Sequence, residues 1–285
     1  MKITSRMPRA EYDAIDALNI SRLKEVKRSP LHFKHLLDHP KVSDPLVLGT
    51  ATHVAVLEPE RYASEFTVWD RMSDAGNACP RRGQYWDQFV ALAGNKTILS
   101  PEQNRLANAI AAAVRFHPVA NQYLETGDPE VTLEWTLSAE LGGRAAKGRV
   151  DWITRVAGKP VIVGLKTSRD CRHFAFSKQA ANLGYHLAWA YYADGYKAIK
   201  GVEPKQVEIV VEAEPPHAVK VYRITPDIIE QGREEYWECV KLLAECEERD
   251  EWPAPGGDAE EDLTLPTWAY KQESDIAGLE LDTAA

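Results

Sequence analysis

The spacing of hydrophobic and polar positions changes character once along the chain. Through the first third, apolar residues recur at helical spacing between short polar or proline-bearing breaks. Ser21 is placed to cap a short helix over Arg22–Lys27, and Ser29-Pro30 reads as cap and first turn of a second over Leu31–Leu37. Pro45 opens a segment through Leu57 that Pro59 closes. Residues 70–84 are polar and predict a loop. Ser100-Pro101-Glu102-Gln103 then has the capping-box pattern, with Leu106, Ile110 and Val114 on one face behind it. From Val131 the pattern becomes that of strands: Val131–Leu137, Ala145–Thr154 after the Gly142-Gly143 turn, and Val161–Lys166. A long helix is predicted over Lys178–Ile199, strands over Gln206–Glu214 and Ala218–Ile224, and a final helix from Thr225-Pro226-Asp227 to about Glu248. Helices first, then strands around one helix, predict a mixed α/β (α+β) core with a helical lead-in. Residues 1–270 read as one domain, mainly helical over 1–120, with sheet core and C-terminal helix over 121–270. The acidic, small-residue stretch 271–285 reads as a flexible tail.

Composition narrows the class. The chain has 285 residues, 44% hydrophobic and 27% charged, which excludes a disordered chain and a small stapled scaffold. Its 34 Lys and Arg against 43 Asp and Glu give a net charge of −9, so an even basic coat for nucleic acid is absent. No stretch approaches the ~20 apolar residues of a membrane span, and the polar start has no apolar leader core. Cys79, Cys171, Cys239 and Cys246 form no C-x-x-C pair and read as reduced cytosolic thiols, the last two packing on one helix face.

The strands carry the candidate chemistry. Glu130 opens the first, Asp151 lies in the second within Lys147-Gly148-Arg149-Val150-Asp151, and Lys166 lies in the third with Thr167 after it. A carboxylate and a lysine aimed the same way from neighbouring strands make a divalent-metal phosphodiesterase site: the acid holds the cation, and the lysine orients water or neutralises phosphate charge.

This order of Asp, next strand, then x-x-Lys is that of the PD-(D/E)xK nuclease superfamily. The whole chain resembles the RecE-type exonuclease family, the nuclease domain of exonuclease VIII and its phage relatives, from about Tyr12 to Trp268. The resemblance rests on ordered motifs: Leu48-Gly49-Thr50-Ala51-Thr52-His53, Leu57-Glu58-Pro59, Arg81-Arg82-Gly83, His117-Pro118, Glu130, Lys147 to Asp151, Leu165-Lys166-Thr167, Tyr185-His186, Tyr192-Ala193-Asp194-Gly195, Trp252-Pro253 and Leu265 to Trp268. It implies a restriction-endonuclease-like core, a mixed central sheet flanked by helices with an N-terminal helical region. It also implies exonuclease digestion of double-stranded DNA from 5′ ends, with two divalent metals (Mg2+, or Mn2+) and a water nucleophile. Residue by residue it implies His53 and Asp151 as metal ligands, Lys166 as the catalytic lysine and Glu130 as a supporting acid. Arg81, Arg82, Lys147, Arg149, Arg169 and Tyr185 are the DNA-binding candidates. The family setting is phage-type recombination in the cytoplasm of a bacterial or phage-infected cell, with duplex DNA ends, a single-strand annealing protein and a homo-oligomeric ring as partners.

Two positions depart from the family. Two residues before the lysine, where the family has Asp or Glu, stands Gly164; on the long helix, a usual glutamine is Ala188. Glycine adds nothing to a buried strand, and the local sequence supplies no structural reason for it. Three accounts follow: a silent nuclease that still binds DNA or assembles, a chain with deliberate inactivating changes, or another acid such as Glu130 moving into the gap. The third is the weakest on sequence grounds. The expectation is a disarmed site with little nuclease activity.

Overall fold

The computed structural model describes residues 1–39, 44–73, 76–256, 260 and 262–265. The predicted tail 271–285 and the Pro266-Thr267-Trp268 motif lie outside them. The first half holds β1 (Lys2–Thr4), α1 (Arg9–Ala14), β2 (Leu18–Asn19), α2 (Ile20–Arg28), α3 (Pro30–Asp38), α4 (Asp44–Leu57), α5 (Pro59–Glu65), β3 (Phe66–Val68), α6 (Gln84–Ala93), β4 (Thr97–Leu99), α7 (Pro101–Phe116) and α8 (Pro118–Leu124). The second half holds β5 (Asp128–Thr136), β6 (Ala145–Val156), β7 (Lys159–Ser168), α9 (His173–Asn182), α10 (Tyr185–Lys200), β8 (Lys205–Glu212), β9 (Val219–Arg223) and α11 (Pro226–Arg249).

The main sheet runs β1-β5-β6-β7-β8-β9, with β2 also paired to β6. It is mixed: β5–β6, β6–β7 and β8–β9 are antiparallel, whereas β7–β8 and β2–β6 are parallel. The parallel β7–β8 pair needs a long crossover, which α9 and α10 supply. One sheet face, with Val131, Leu133, Trp135 and Val150, packs under α2, α10 and α11 through Leu23, Leu187, Tyr191, Tyr236 and Leu243. On the other, Val161, Val163, Leu165, Val207 and Ile209 meet Ala55 of α4, Ile110 and Val114 of α7 and Ala120 of α8. The fold class expected from the sequence is therefore the one observed.

Several boundaries differ for local reasons. Asn19, not Ser21, caps α2, its side chain accepting from Arg22 N–H at 3.0 Å. Ser29 caps α3, and Ser100 with Gln103 forms the full capping box of α7, both as predicted. Pro59 begins α5 at a first-turn position as well as ending α4. The predicted Lys178–Ile199 helix is two helices, α9 and α10, broken at Leu183 and Gly184, the latter left-handed (φ +59°). Cys239 and Cys246 are buried on α11, as their spacing suggested.

One irregularity positions the site. The β6–β7 ladder runs from Val156↔Lys159 to Trp152↔Val163 and stops. The next positions in register are Asp151 and Gly164. Here Asp151 accepts at Oδ2 from Leu165 N–H at 2.8 Å, so a side chain replaces a ladder bond and the strands fork. Farther along, β2 pairs with the edge of β6 at Ala146 and Lys147. The β5–β6 ladder is interrupted at the same level: it pairs Pro129↔Trp152 and Val131↔Val150 but skips Glu130 and Asp151.

Candidate active site

The fork brings three ligand-type side chains together from three elements. His53 of α4, Glu130 of β5 and Asp151 of β6 each offer one donor atom, and these atoms lie within 4.8 Å of one another. Among the described residues this is the one such group. His53 Nδ1 is 3.8 Å from Asp151 Oδ1. Burial lowers the His53 pKa, against the pull of Asp151, which favours a neutral imidazole with a lone pair to give. Burial pushes the Asp151 carboxyl up, but Lys166, His53 and the Leu165 N–H outweigh it and hold it below its ordinary value. Glu130 is pushed up to about 7 by burial and by Asp151, against the Arg149 guanidinium 2.5 Å away. Its backbone lies in the left-handed region (φ +49°), a strained conformation for a residue with a side chain.

Lys166 completes the cluster. Its Nζ lies 3.3 Å from Asp151 Oδ2 and 3.4 Å from Oε1 of Glu208 on β8. Burial alone would lower the lysine's pKa, yet Asp151 and Glu208 raise it well above the ordinary value. Lys166 therefore stays charged, suited to neutralising phosphate and not to removing a proton.

Glu208 escapes the sequence reading. It is the register partner of Gly164 across the parallel β7–β8 pair and is only 2% exposed. Its Oε2 accepts from Trp189 Nε1 of α10 at 2.6 Å, whereas Oε1 accepts no hydrogen bond. A Cβ on Gly164 would stand 2.5 Å from both carboxylate oxygens. The signal was present: one acid inside the apolar strand Val207-Glu208-Ile209-Val210-Val211, where buried charge needs a partner or a task.

A cavity of about 200 Å³ opens against this cluster, lined by Asp151, Gly164, Lys166, Glu208, Tyr185 and Lys24 among others. Lys24 of α2 was not singled out in the sequence. Burial, with Lys166 nearby, lowers its pKa to about 8, and its Nζ stands 5.3 Å from the Tyr185 ring centre.

The other predicted DNA contacts are dispersed. Tyr185 lines the cavity, with Lys166 Nζ 5.9 Å from its ring centre. Arg149 pairs with Glu130. Lys147 is a correction: it is 3% exposed, and its ammonium donates to the carbonyls of Tyr12 and Ile15 at 2.7 Å, so it ties down the N-terminal segment instead of facing phosphate. Arg81 and Arg82 lie exposed in the loop before α6, where Arg81 sits 5.6 Å from the Trp86 ring centre and Trp86 packs edge-on to Trp69. Arg169 is exposed just beyond β7. Ala188 lines the cavity and offers no polar group there.

Comparisons with known proteins agree with this architecture. Residues 19–261 match the model of a PDDEXK-like domain of unknown function, DUF3799. A solved structure of a candidate exonuclease from Eubacterium rectale is similar over 93% of this chain and 96% of its own, with 13% identity and a TM-score of 0.61. A phage-related exonuclease from Haemophilus somnus shares 12% identity over 82% of this chain and 97% of its own, with a TM-score of 0.36. No curated protein matches the sequence. The family match spans far more than half the chain and includes the strands that carry Glu130, Asp151 and Lys166, and the chain belongs to the PDDEXK-like DUF3799 family.

Proposed function

We propose that this chain is a divalent-metal-dependent exonuclease acting on double-stranded DNA. The observation that carries the reading is the convergence of His53, Glu130 and Asp151 beside Lys166 at the strand fork. The family supports phosphodiester hydrolysis, and the description of the Eubacterium rectale protein supports attack at ends. The RecE-type resemblance adds 5′ to 3′ polarity, phage-type recombination beside a single-strand annealing protein, a homo-oligomeric ring and a cytoplasmic setting. No helix among the described residues is long and apolar enough to cross a membrane.

The residues fit a divalent cation: two carboxylates and a neutral imidazole form a small, largely oxygen donor set. Asp151, Glu130 and His53 would hold it; Mg2+ is the proposed ion, and the His53 nitrogen also suits Mn2+. When bound, the cation would offset phosphate charge and make a nearby water more acidic. The chain's own residues do the rest. The Leu165 N–H fixes the Asp151 carboxylate in place. Lys166, held charged, stabilises negative charge that develops on the phosphate. Lys24 and Tyr185 line the cavity through which the strand would pass.

Lys166→Ala and Asp151→Asn should each slow Mg2+-dependent nucleotide release from linear duplex DNA by about a hundredfold or more. The assay follows acid-soluble nucleotide, with circular dichroism melts confirming the fold. If both variants degrade DNA at the parent rate, the reading fails. A second reading, a catalytically silent DNA-binding or recombination-assembly protein, is favoured by Gly164 and Ala188. It predicts duplex binding without Mg2+-dependent loss of DNA.

A further inference from the structure

We propose that Glu208 replaces the carboxylate absent at Gly164: the acid has moved from β7 to the paired position on β8, and Gly164 is the space that admits it. This rests on the metal-dependent reading above and concerns which residues complete that site.

Three observations point the same way. The first is steric. Any side chain at 164 would place its Cβ 2.5 Å from both oxygens of Glu208, closer than nonbonded atoms approach. With any side chain at 164 the Glu208 carboxylate would have to leave this position, and the bare backbone of Gly164 is what lets it lie here. The second is direction. Glu208 is held by Trp189 at Oε2, and that contact turns the carboxylate toward Lys166, which it shares with Asp151 at 3.4 and 3.3 Å. The third is spare capacity at one oxygen. Oε1 is buried and receives no well-aligned hydrogen bond, its polar neighbour being the Lys166 ammonium at 3.4 Å. An ionised carboxylate oxygen so placed keeps a lone pair for a second cation. Asp151 and Glu208 thus flank one cation, the Lys166 ammonium, and present a pair of acids to the cavity.

The consequence is that Gly164 does not disarm the site. Glu208 acts as a metal-facing carboxylate beside Asp151, and the lysine two positions after the glycine keeps its two acidic neighbours.

The test is a swap, read by calorimetric titration of Mn2+ and by melting of the metal-free protein, with duplex degradation alongside. Glu208→Gln keeps the shape and an acceptor for Trp189, and should weaken Mn2+ binding about tenfold or more without lowering the metal-free melting temperature. Gly164→Asp alone should lower that temperature by several degrees, because two carboxylates collide. Gly164→Asp with Glu208→Ala should recover the melting temperature and bring Mn2+ affinity and degradation back to within a few-fold of the parent. The proposal is overturned if Glu208→Gln binds Mn2+ as the parent does, or if Gly164→Asp is as stable with Glu208 present as without it. It is also overturned if the parent leaves DNA intact while the double variant degrades it. Asp151→Asn separates the two levels. If it too leaves Mn2+ binding and DNA degradation unchanged, the metal-dependent reading itself has failed. If it abolishes both and Glu208→Gln does not weaken binding, only the role of Glu208 has failed.

Discussion

Glu130 combines a left-handed backbone with a carboxyl held up to about 7 by burial and by Asp151. Both features oppose folding of the metal-free chain. A carboxyl whose folded pKa lies above its unfolded value of 4.5 contributes stability below that value, and loses the contribution as pH rises through about 7. Without metal, the parent should therefore lose stability between about pH 4.5 and 7 relative to Glu130→Gln, whose uncharged amide does not titrate. Melting curves in EDTA across that range check this, and a difference between the two proteins that does not vary with pH would refute it. The same residue shows how far the site was legible from sequence. Asp151 and Lys166 could be found because they lie on two consecutive strands, each bounded by clear turn signals, in the order of a known nuclease pattern. Glu208 is visible as a lone acid in an apolar strand, but its place beside position 164 is not, because that is set by parallel register with a strand more than forty positions earlier in the chain, which no local period encodes. Gly164 stands out in the sequence as a departure from that pattern, while the residue that fills its space lies on another strand.

His53 reaches the fork because α4 is held against the sheet by α7. Ala51 of α4 shares a buried cluster with Ala107 of α7, and Ala55 shares one with Ala111, small residues that let the helices lie close. The order of α7 depends in turn on its start, where Ser100 Oγ accepts from Gln103 N–H at 3.0 Å and Gln103 Oε1 accepts from Ser100 N–H at 2.8 Å. Ser100→Ala should destabilise the protein by about 1 kcal/mol and lower its melting temperature by a few degrees, while nucleotide release per folded molecule stays at the parent value. Chemical unfolding beside the nuclease assay measures both. A large fall in specific activity with no change in stability would show that the cap serves the chemistry and not the helix. This box, the Ser29 cap and the long amphipathic α11 were readable because capping chemistry and helical period are local signals. The strands β1, β2, β3 and β4, of two or three residues, were not: they are too short for a period and exist only through their partners. The break between α9 and α10 hinged on one left-handed glycine inside an otherwise helical pattern.

The net charge of −9 poses the question of how DNA would approach at all. Many cations are already neutralised: Arg61 by Glu58, Arg144 by Glu247, Arg172 by Asp170, Arg233 by Asp194 and Lys197 by Glu203. Lys147 is buried on backbone carbonyls. Lys24 and Lys166 line the cavity, where Lys166 is already paired with Asp151 and Glu208. The two cations at the cavity are matched by two carboxylates, so a phosphate entering the metal-free site meets no excess of positive charge, and a bound divalent ion would supply it. Duplex binding should therefore depend on a divalent ion. Replacing EDTA with Ca2+ should tighten binding of a short blunt duplex by about tenfold or more. The slope of log affinity against log salt should be shallow, with a magnitude below about 5, because few phosphates are neutralised by side chains alone. Fluorescence anisotropy of a labelled duplex over a salt series, with each ion condition in parallel, gives both quantities. Equal affinity in EDTA and Ca2+ with a steep salt slope would place the DNA on a basic surface away from the acids, with the exposed Arg81, Arg82 and Arg169 as the first residues to replace.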